Sequence, residues 1–212
     1  MDKTKFKFLE HTADIKFQAF GKNLNKYICK NLEKPIKTLS LFSGAGGLDI
    51  GFHDVGFEVH TMVEIEQDFV KTLEANSGKN KYFSNGNPIC IDIREFVPDE
   101  NEEIDFIIGG PPCQTFSAAG RRAAGVSGTD DERGNLFKEY VRILKKIKPK
   151  GFLFENVYGI LGAEKGKAWE LIKKSFEEAG YKLHYRILDA ADYGVPQHRE
   201  RLFIVGTLNE VY

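Results

Sequence analysis

The chain has 212 residues, is 42% hydrophobic and 29% charged, and carries a formal net charge of −1. That length accommodates one sizeable α/β domain with a small appendage. The near-neutral balance excludes a broadly basic nucleic-acid binder, so any basic face must be local or supplied from elsewhere. The first 35 residues do not share the pattern of the rest of the chain. Phe17, Ala19 and Gly21 alternate with polar residues, a strand pattern. Asn23 then stands where it would cap a short helix carrying Leu24, Tyr27, Ile28 and Leu32. Pro35 marks a junction, giving an appendage over 1–35 and a main domain over 36–212.

Residues 36–42 read as the first strand of that domain. Ser43-Gly44-Ala45-Gly46-Gly47 follows, and then a helical pattern of Leu48, Ile50, Gly51 and Phe52. Such a strand, glycine turn and helix lets backbone N–H groups approach a polar ligand closely. A glycine turn alone says little, but a second strand over 57–63 ends in Glu64, 20 residues after Gly44. An acidic residue at about that spacing accepts hydrogen bonds from a ribose. A helix over 67–76 carries Phe69, Val70 and Leu73, and a third strand is expected over 89–93. Asp92 in it reads equally as a ligand acceptor or as a helix cap ahead of Phe96. Cys90, flanked by apolar residues, reads as an inert buried thiol.

A fourth strand over 104–108 is stopped abruptly by Gly109-Gly110-Pro111-Pro112, and Cys113 comes next. Two prolines fix the backbone and remove two donors. They hold the cysteine at a strand end, where α/β proteins place their chemistry, and a free thiol there is a candidate nucleophile. Gly, Pro and Gln are poor core neighbours, which argues against a merely buried thiol. The glycine-rich stretch 118–134, with Arg121, Arg122 and Arg133 among acidic residues, reads as a long functional or solvated loop. A helix over 135–147 has Leu136, Phe137, Tyr140, Val141 and Leu144 on one face. The lysines at its end, Lys145, Lys146, Lys148 and Lys150, suit a helix C-terminus better than nucleic acid. A fifth strand over 151–154 runs into Glu155-Asn156-Val157, and a glutamate leaving an apolar strand needs a role or a partner. A helix over 165–178 and strands over 181–188 and 202–205 complete the pattern. Arg199 and Arg201 alternate just before the last strand, so both would face one side. An ion pair is the plain alternative for either.

Three cysteines without a CxxC spacing suggest neither a disulfide framework nor a metal site. With no membrane-length apolar run and no leader-like opening, a cytoplasmic protein is expected.

The Pro-Pro-Cys-Gln run closely resembles the catalytic loop of DNA (cytosine-5)-methyltransferases, notably the bacterial and archaeal restriction–modification type. The resemblance covers roughly residues 36–207, with five motifs in order: the glycine loop, Asp92, the cysteine loop, Glu155-Asn156-Val157 and Gln197-x-Arg199-x-Arg201. It implies an α/β, Rossmann-like S-adenosylmethionine-dependent fold, a mostly parallel seven-stranded sheet with helices on both faces. By the resemblance, the cofactor is held by Phe42, the loop Ser43, Gly44, Ala45, Gly46 and Gly47, Glu64, Ile65, Asp92, Ile93 and Pro111. Ile65 stands where the family often has an aromatic residue against adenine. Cys113 would attack a flipped cytosine in DNA, Glu155 would hydrogen-bond the base and supply a proton, and Arg201, supported by Arg199, would orient it. His198 is given no role. The family normally continues with a target-recognition domain and a closing helix, so a second polypeptide carrying them is an expected partner. The same chemistry on RNA and a non-catalytic cofactor-binding half are the competing readings. The opening residues, with Asp14, resemble the start of archease, although an added strand and helix packed on the main domain is the simpler account.

Overall fold

The computed structural model of the protein describes residues 16–112 and 136–208. A central strand, β1 (Ile36–Leu41), is buried on both faces: Thr38, Leu39, Ser40 and Leu41 are all at most 1% exposed. Strands sealed on both faces occur where helices cover both sides of a parallel sheet. The neighbours of β1 are β2 (Phe57–Glu64) and β4 (Phe106–Gly109), both parallel to it. The short β3 (Asn87–Cys90) pairs with β2 and forms one edge. On the other side β5 (Gly151–Val157) runs parallel to β4, followed by β7 (Glu200–Leu208) and β6 (Tyr181–Asp189). The order is β3-β2-β1-β4-β5-β7-β6, and β7 runs antiparallel to both its neighbours.

Alternation along the strands divides the core. Leu39, Leu41, Val63 and Ile107 face a cluster with Tyr140, Ile143, Leu144, Phe152, Phe154 and Phe176. These last residues belong to the sheet and to helices α4 (Leu136–Ile147) and α5 (Lys167–Glu177). The Tyr140 hydroxyl donates to the Leu153 carbonyl at 2.9 Å, so its burial leaves no unsatisfied donor. The opposite face packs Val59, Met62, Leu73 and Phe83, with Phe52 beside them. There lie α2 (Gly47–Asp54) and α3 (Gln67–Asn76). Helices therefore cover both faces of a seven-stranded, mostly parallel sheet, as the sequence led us to expect.

Several local expectations are corrected. Lys16–Asn31 is one helix, α1, so the alternation of Phe17, Ala19 and Gly21 is not a strand and Asn23 lies inside the helix. Three alternating residues are too few to set a period against the helical spacing of Leu24, Tyr27 and Ile28. Only Ile28 of that apolar set is buried, against Gly56 of the α2–β2 turn. The third strand begins at Asn87 and ends at Cys90, so Asp92 lies in the turn beyond it. Cys90 is exposed. It sits on the edge strand of the sheet, where apolar sequence neighbours do not by themselves bury a residue. The fifth strand continues through Glu155 to Val157 because β7 pairs with it to the end, Val157 opposite Arg201. Two short 3-10 turns, Tyr158–Leu161 and Ala163–Gly166, precede α5, which starts two residues later than its periodicity suggests. The 1–15 stretch, including Asp14, lies outside the described residues.

Candidate active site

Parallel strands deliver their carboxyl ends to one rim of the sheet, and ligands of open α/β folds bind there. Beyond β1, Phe42 takes a left-handed backbone (φ 57°), as do Gly44 (φ 55°) and Gly46 (φ 90°). Two glycines make this reversal inexpensive. The turn is pinned from below: the Ser43 amide donates to the Val63 carbonyl (3.1 Å) and its hydroxyl to the Ser40 hydroxyl (2.9 Å). Glu64 at the end of β2 ties the turn to its neighbour. One carboxylate oxygen accepts the Gly44 N–H at 2.7 Å; the other accepts those of Ile65 (2.9 Å) and Glu66 (3.0 Å). Ser43 and Gly46 are buried under the turn, and Ala45 and Gly47 are exposed on it.

A cleft of about 550 Å³ opens beside this turn, lined by Phe42, Glu64, Ile65, Phe69, Asp92, Ile93, Arg94, Gly110 and Pro112, among others. Asp92 is held by Arg94, two residues further along the chain. The Arg94 guanidinium reaches both carboxylate oxygens (3.0 Å from Nε to each), and its amide donates to one of them (2.9 Å). These bonds hold the Asp92 carboxyl below its ordinary range, so it stands ready as an acceptor with lone pairs remaining. Its carbonyl also accepts the Glu95 and Phe96 amides. The cap-like role and the cleft position thus coexist.

A second cleft, about 480 Å³, meets the first at Phe42 and Gly110. Glu155, Arg199, Arg201, Leu188, Tyr193 and Phe203 line it, with Gly47 and Leu48 of the α2 start. Arg201 Nε lies 2.9 Å from the Glu155 carboxylate. Burial pushes the Glu155 carboxyl above its usual range, and the opposing pull of Arg201 and then Arg199 does not cancel the rise. Gly110 is needed beside it: a Cβ there would come within 2.7 Å of the Glu155 carboxylate. Asn156, which the sequence motif contained but to which no role was given, fastens the same corner. Its amide donates to the Pro111 carbonyl (3.2 Å) and its oxygen accepts the Val157 N–H (2.8 Å). A second polar residue directly after the glutamate at the end of an apolar run was the available signal. Pro111 is accordingly buried, and Pro112 is exposed at the cleft.

Arg199 is carried on a loop organised by Asp189. That carboxylate accepts the amides of Ala191 (3.1 Å) and Arg199 (2.8 Å) and meets His198 Nδ1 at 2.9 Å. His198, dismissed from the sequence, thus has a structural partner. Of the lysine cluster, Lys146 pairs with Glu100 (3.0 Å) and Lys150 with Asp105 (2.6 Å). Asp105 immediately precedes β4, at the end of the sheet away from the clefts. Cys113, Arg121, Arg122 and Arg133 fall in 113–135, outside the described residues. Among the described residues no cluster of His, Cys, Asp and Glu could hold a metal, and no helix is long and apolar enough to cross a membrane.

A glycine turn and acidic strand end on β1 and β2, on a sheet whose last strand enters antiparallel, define a Rossmann-like methyltransferase domain. The chain belongs to the C-5 cytosine-specific DNA methylase family, which matches residues 36–212. It is 49% identical over 171 residues to the type II methyltransferase M.FnuDI of Fusobacterium nucleatum, covering 81% of this chain and 46% of that protein. It is 44% identical over 181 residues to the type II methyltransferase M.AquIA of a Picosynechococcus strain, covering 80% and 71%. Among solved structures, Spodoptera frugiperda DNMT2 superposes with a TM-score of 0.64 at 25% identity, covering 82% of this chain and 50% of that one. The chain spans about half the length of several of the curated relatives it matches.

Proposed function

We propose that this chain supplies the catalytic part of an enzyme that transfers a methyl group from S-adenosylmethionine to C5 of cytosine in DNA. The observation that carries the reading is Glu155. It stands at the rim beside the Gly-Pro-Pro turn that leads to Cys113, clamped by Arg201 and with its proton affinity raised by burial.

The larger cleft fits the cofactor. Its apolar walls, Phe42, Ile65 and Ile93, suit a purine, and its acceptors, Glu64 and Asp92, suit a ribose and an exocyclic amine. The backbone of the Ser43–Gly47 turn, with Pro111 behind it, would shape the methionine end. Bound there, S-adenosylmethionine supplies an electrophilic methyl group. The chain's own residues do the rest. C5 of cytosine is too weak a nucleophile unaided; the Cys113 thiolate adds to C6 and makes C5 enamine-like. Glu155 hydrogen-bonds N3 and the exocyclic amine and shares a proton as charge builds on the ring. Arg201, with Arg199 beside it, orients the base and favours charge on its carbonyl side. After methylation the C5 proton leaves and the cysteine is expelled. The target base must leave the helical stack to reach this rim.

We further infer that base-edge reading falls to a recognition module, on a second polypeptide or elsewhere. The described residues are used by the sheet, its helices and their connections, and the net charge of −1 is unlike that of a self-sufficient DNA binder. A cytoplasmic setting accompanies the reading. The test is a duplex carrying 5-fluorocytosine, whose C5 cannot lose a proton after methylation. The complete enzyme should become covalently attached through Cys113, and Cys113→Ser should form no adduct while binding cofactor normally. Methyl transfer that persists in Cys113→Ser would overturn the mechanism.

A further inference from the structure

Arg142 belongs to neither cleft, yet it joins the elements on either side of one. It sits on α4, the helix that comes directly after residues 113–135. A single guanidinium nitrogen, Nη2, donates to two carbonyls of the turn beyond β3, those of Ile93 (2.9 Å) and Phe96 (3.0 Å). Its Nε is fixed by Glu139, one turn back on the same helix, at 2.6 Å. The turn so held is the one that carries Asp92, and it is otherwise tied to the sheet through the Ile91 amide on the Glu64 carbonyl (2.9 Å). Ile93 and Phe96 bury their side chains in the same core as Phe137 and Val141 of α4. Leu136, the first residue of α4, lines the same cleft as Asp92.

We propose that Arg142 is a positioning residue for the adenine end of the cofactor: through the Ile93 and Phe96 carbonyls it sets where Asp92 stands relative to helix α4. The inference rests on the reading of Asp92 as the acceptor of the adenine amino group. Apolar packing alone holds the two elements together but does not fix the turn's rotation, since dispersion contacts are weakly directional. The guanidinium fork is directional, with five N–H donors fixed in one rigid plane. A lysine at this position keeps the positive charge and loses the fork. Misplacing an acceptor by a fraction of its hydrogen-bond length weakens that contact and leaves the rest of the ligand's contacts in place.

The experiment compares S-adenosylhomocysteine with its inosine counterpart, in which the adenine amino group is replaced by a carbonyl oxygen. Binding of both is measured calorimetrically for the full chain, Arg142→Lys, Asp92→Asn and Glu139→Gln, with the melting temperature of each ligand-free protein. The unaltered chain should prefer the adenine compound. Arg142→Lys should lose about tenfold in affinity for it and most of the preference, while its affinity for the inosine compound changes little. Glu139→Gln should fall between the two. An Arg142→Lys protein that keeps the preference overturns the proposal, as does one in which both compounds weaken equally alongside a lowered melting temperature, the mark of a general structural role. Asp92→Asn separates the two levels of inference. If it too loses the preference, the adenine reading holds whatever Arg142 does; if it keeps the preference, the reading of Asp92 falls and this role for Arg142 falls with it.

Discussion

Two glutamates stand at the same rim of the sheet, Glu64 as the last residue of β2 and Glu155 two residues before the end of β5, and their surroundings differ. Glu64 meets three backbone N–H groups within 3.0 Å. Its charge is dispersed into the main chain, so it functions as a fixed tie between the glycine turn and the start of α3. Glu155 instead faces Arg201 and Arg199 across a half-buried cleft and keeps a raised proton affinity despite them. A carboxylate that holds a backbone in shape must stay in place. One that works on a base must be near the point of exchanging a proton, because proton transfer is most effective when the group's affinity lies near the working pH. On the proposed reading, the same residue type serves binding on one side of Phe42 and chemistry on the other.

The contrast is broken most directly by Glu155→Gln. It keeps size and most hydrogen bonds but cannot give up a proton, so turnover should fall by about 10²–10⁴-fold at saturating cofactor. Cofactor affinity should be unaffected, as measured by calorimetry; a matching loss of affinity would show that the two clefts are not functionally separate.

A second test addresses the support beneath the cofactor side. Asp49 of α2 is 0% exposed, and among the described residues neither carboxylate oxygen has a partner in full hydrogen-bond geometry, although the Ser40 hydroxyl acts on it favourably. Burial pushes its pKa up to about 6 from 3.8. A carboxyl raised in the folded state binds more protons than in the unfolded one between those values. Its contribution is therefore most favourable below about 4, diminishes as pH rises towards 6, and is constant above. The shift caps the cost near 3 kcal/mol at pH 8. Asp49→Asn should raise stability at pH 8 relative to the unaltered chain and much less at pH 4.5, as read from urea unfolding at both. A uniform change at the two pH values would show that Asp49 does not titrate in this range.

The smallest effect is expected from Glu64→Ala. It removes the acceptor of three amides and the proposed ribose contact, and should weaken cofactor binding by about 1–3 kcal/mol. Turnover at saturating cofactor should be retained, in contrast to Glu155→Gln. A fall in turnover equal to that of the Glu155 variant would abolish the distinction between a structural and a chemical carboxylate.

Much of this protein was legible in its sequence. Apolar runs marked all seven strands to within a few residues, because strand burial depends on local composition. The Ser43–Gly47 turn, Glu64, Glu155 and the Arg199–Arg201 alternation stood out for the same reason: each is a residue type that fits poorly in an apolar strand or helix unless something requires it. What the sequence could not decide depended on neighbours distant along the chain. Cys90 looked buried because its sequence neighbours are apolar, but it lies on an edge strand, and edges are set by strand order. The Asn156 tie to Pro111, the room Gly110 leaves for Glu155 and the Arg142 reach to the Ile93 and Phe96 carbonyls are all contacts between groups brought together by packing. Composition and spacing specify which residues are available to make such contacts. Only the assembled sheet, which sets the distance between β3 and α4 or between β4 and β5, determines which of them are within hydrogen-bond reach.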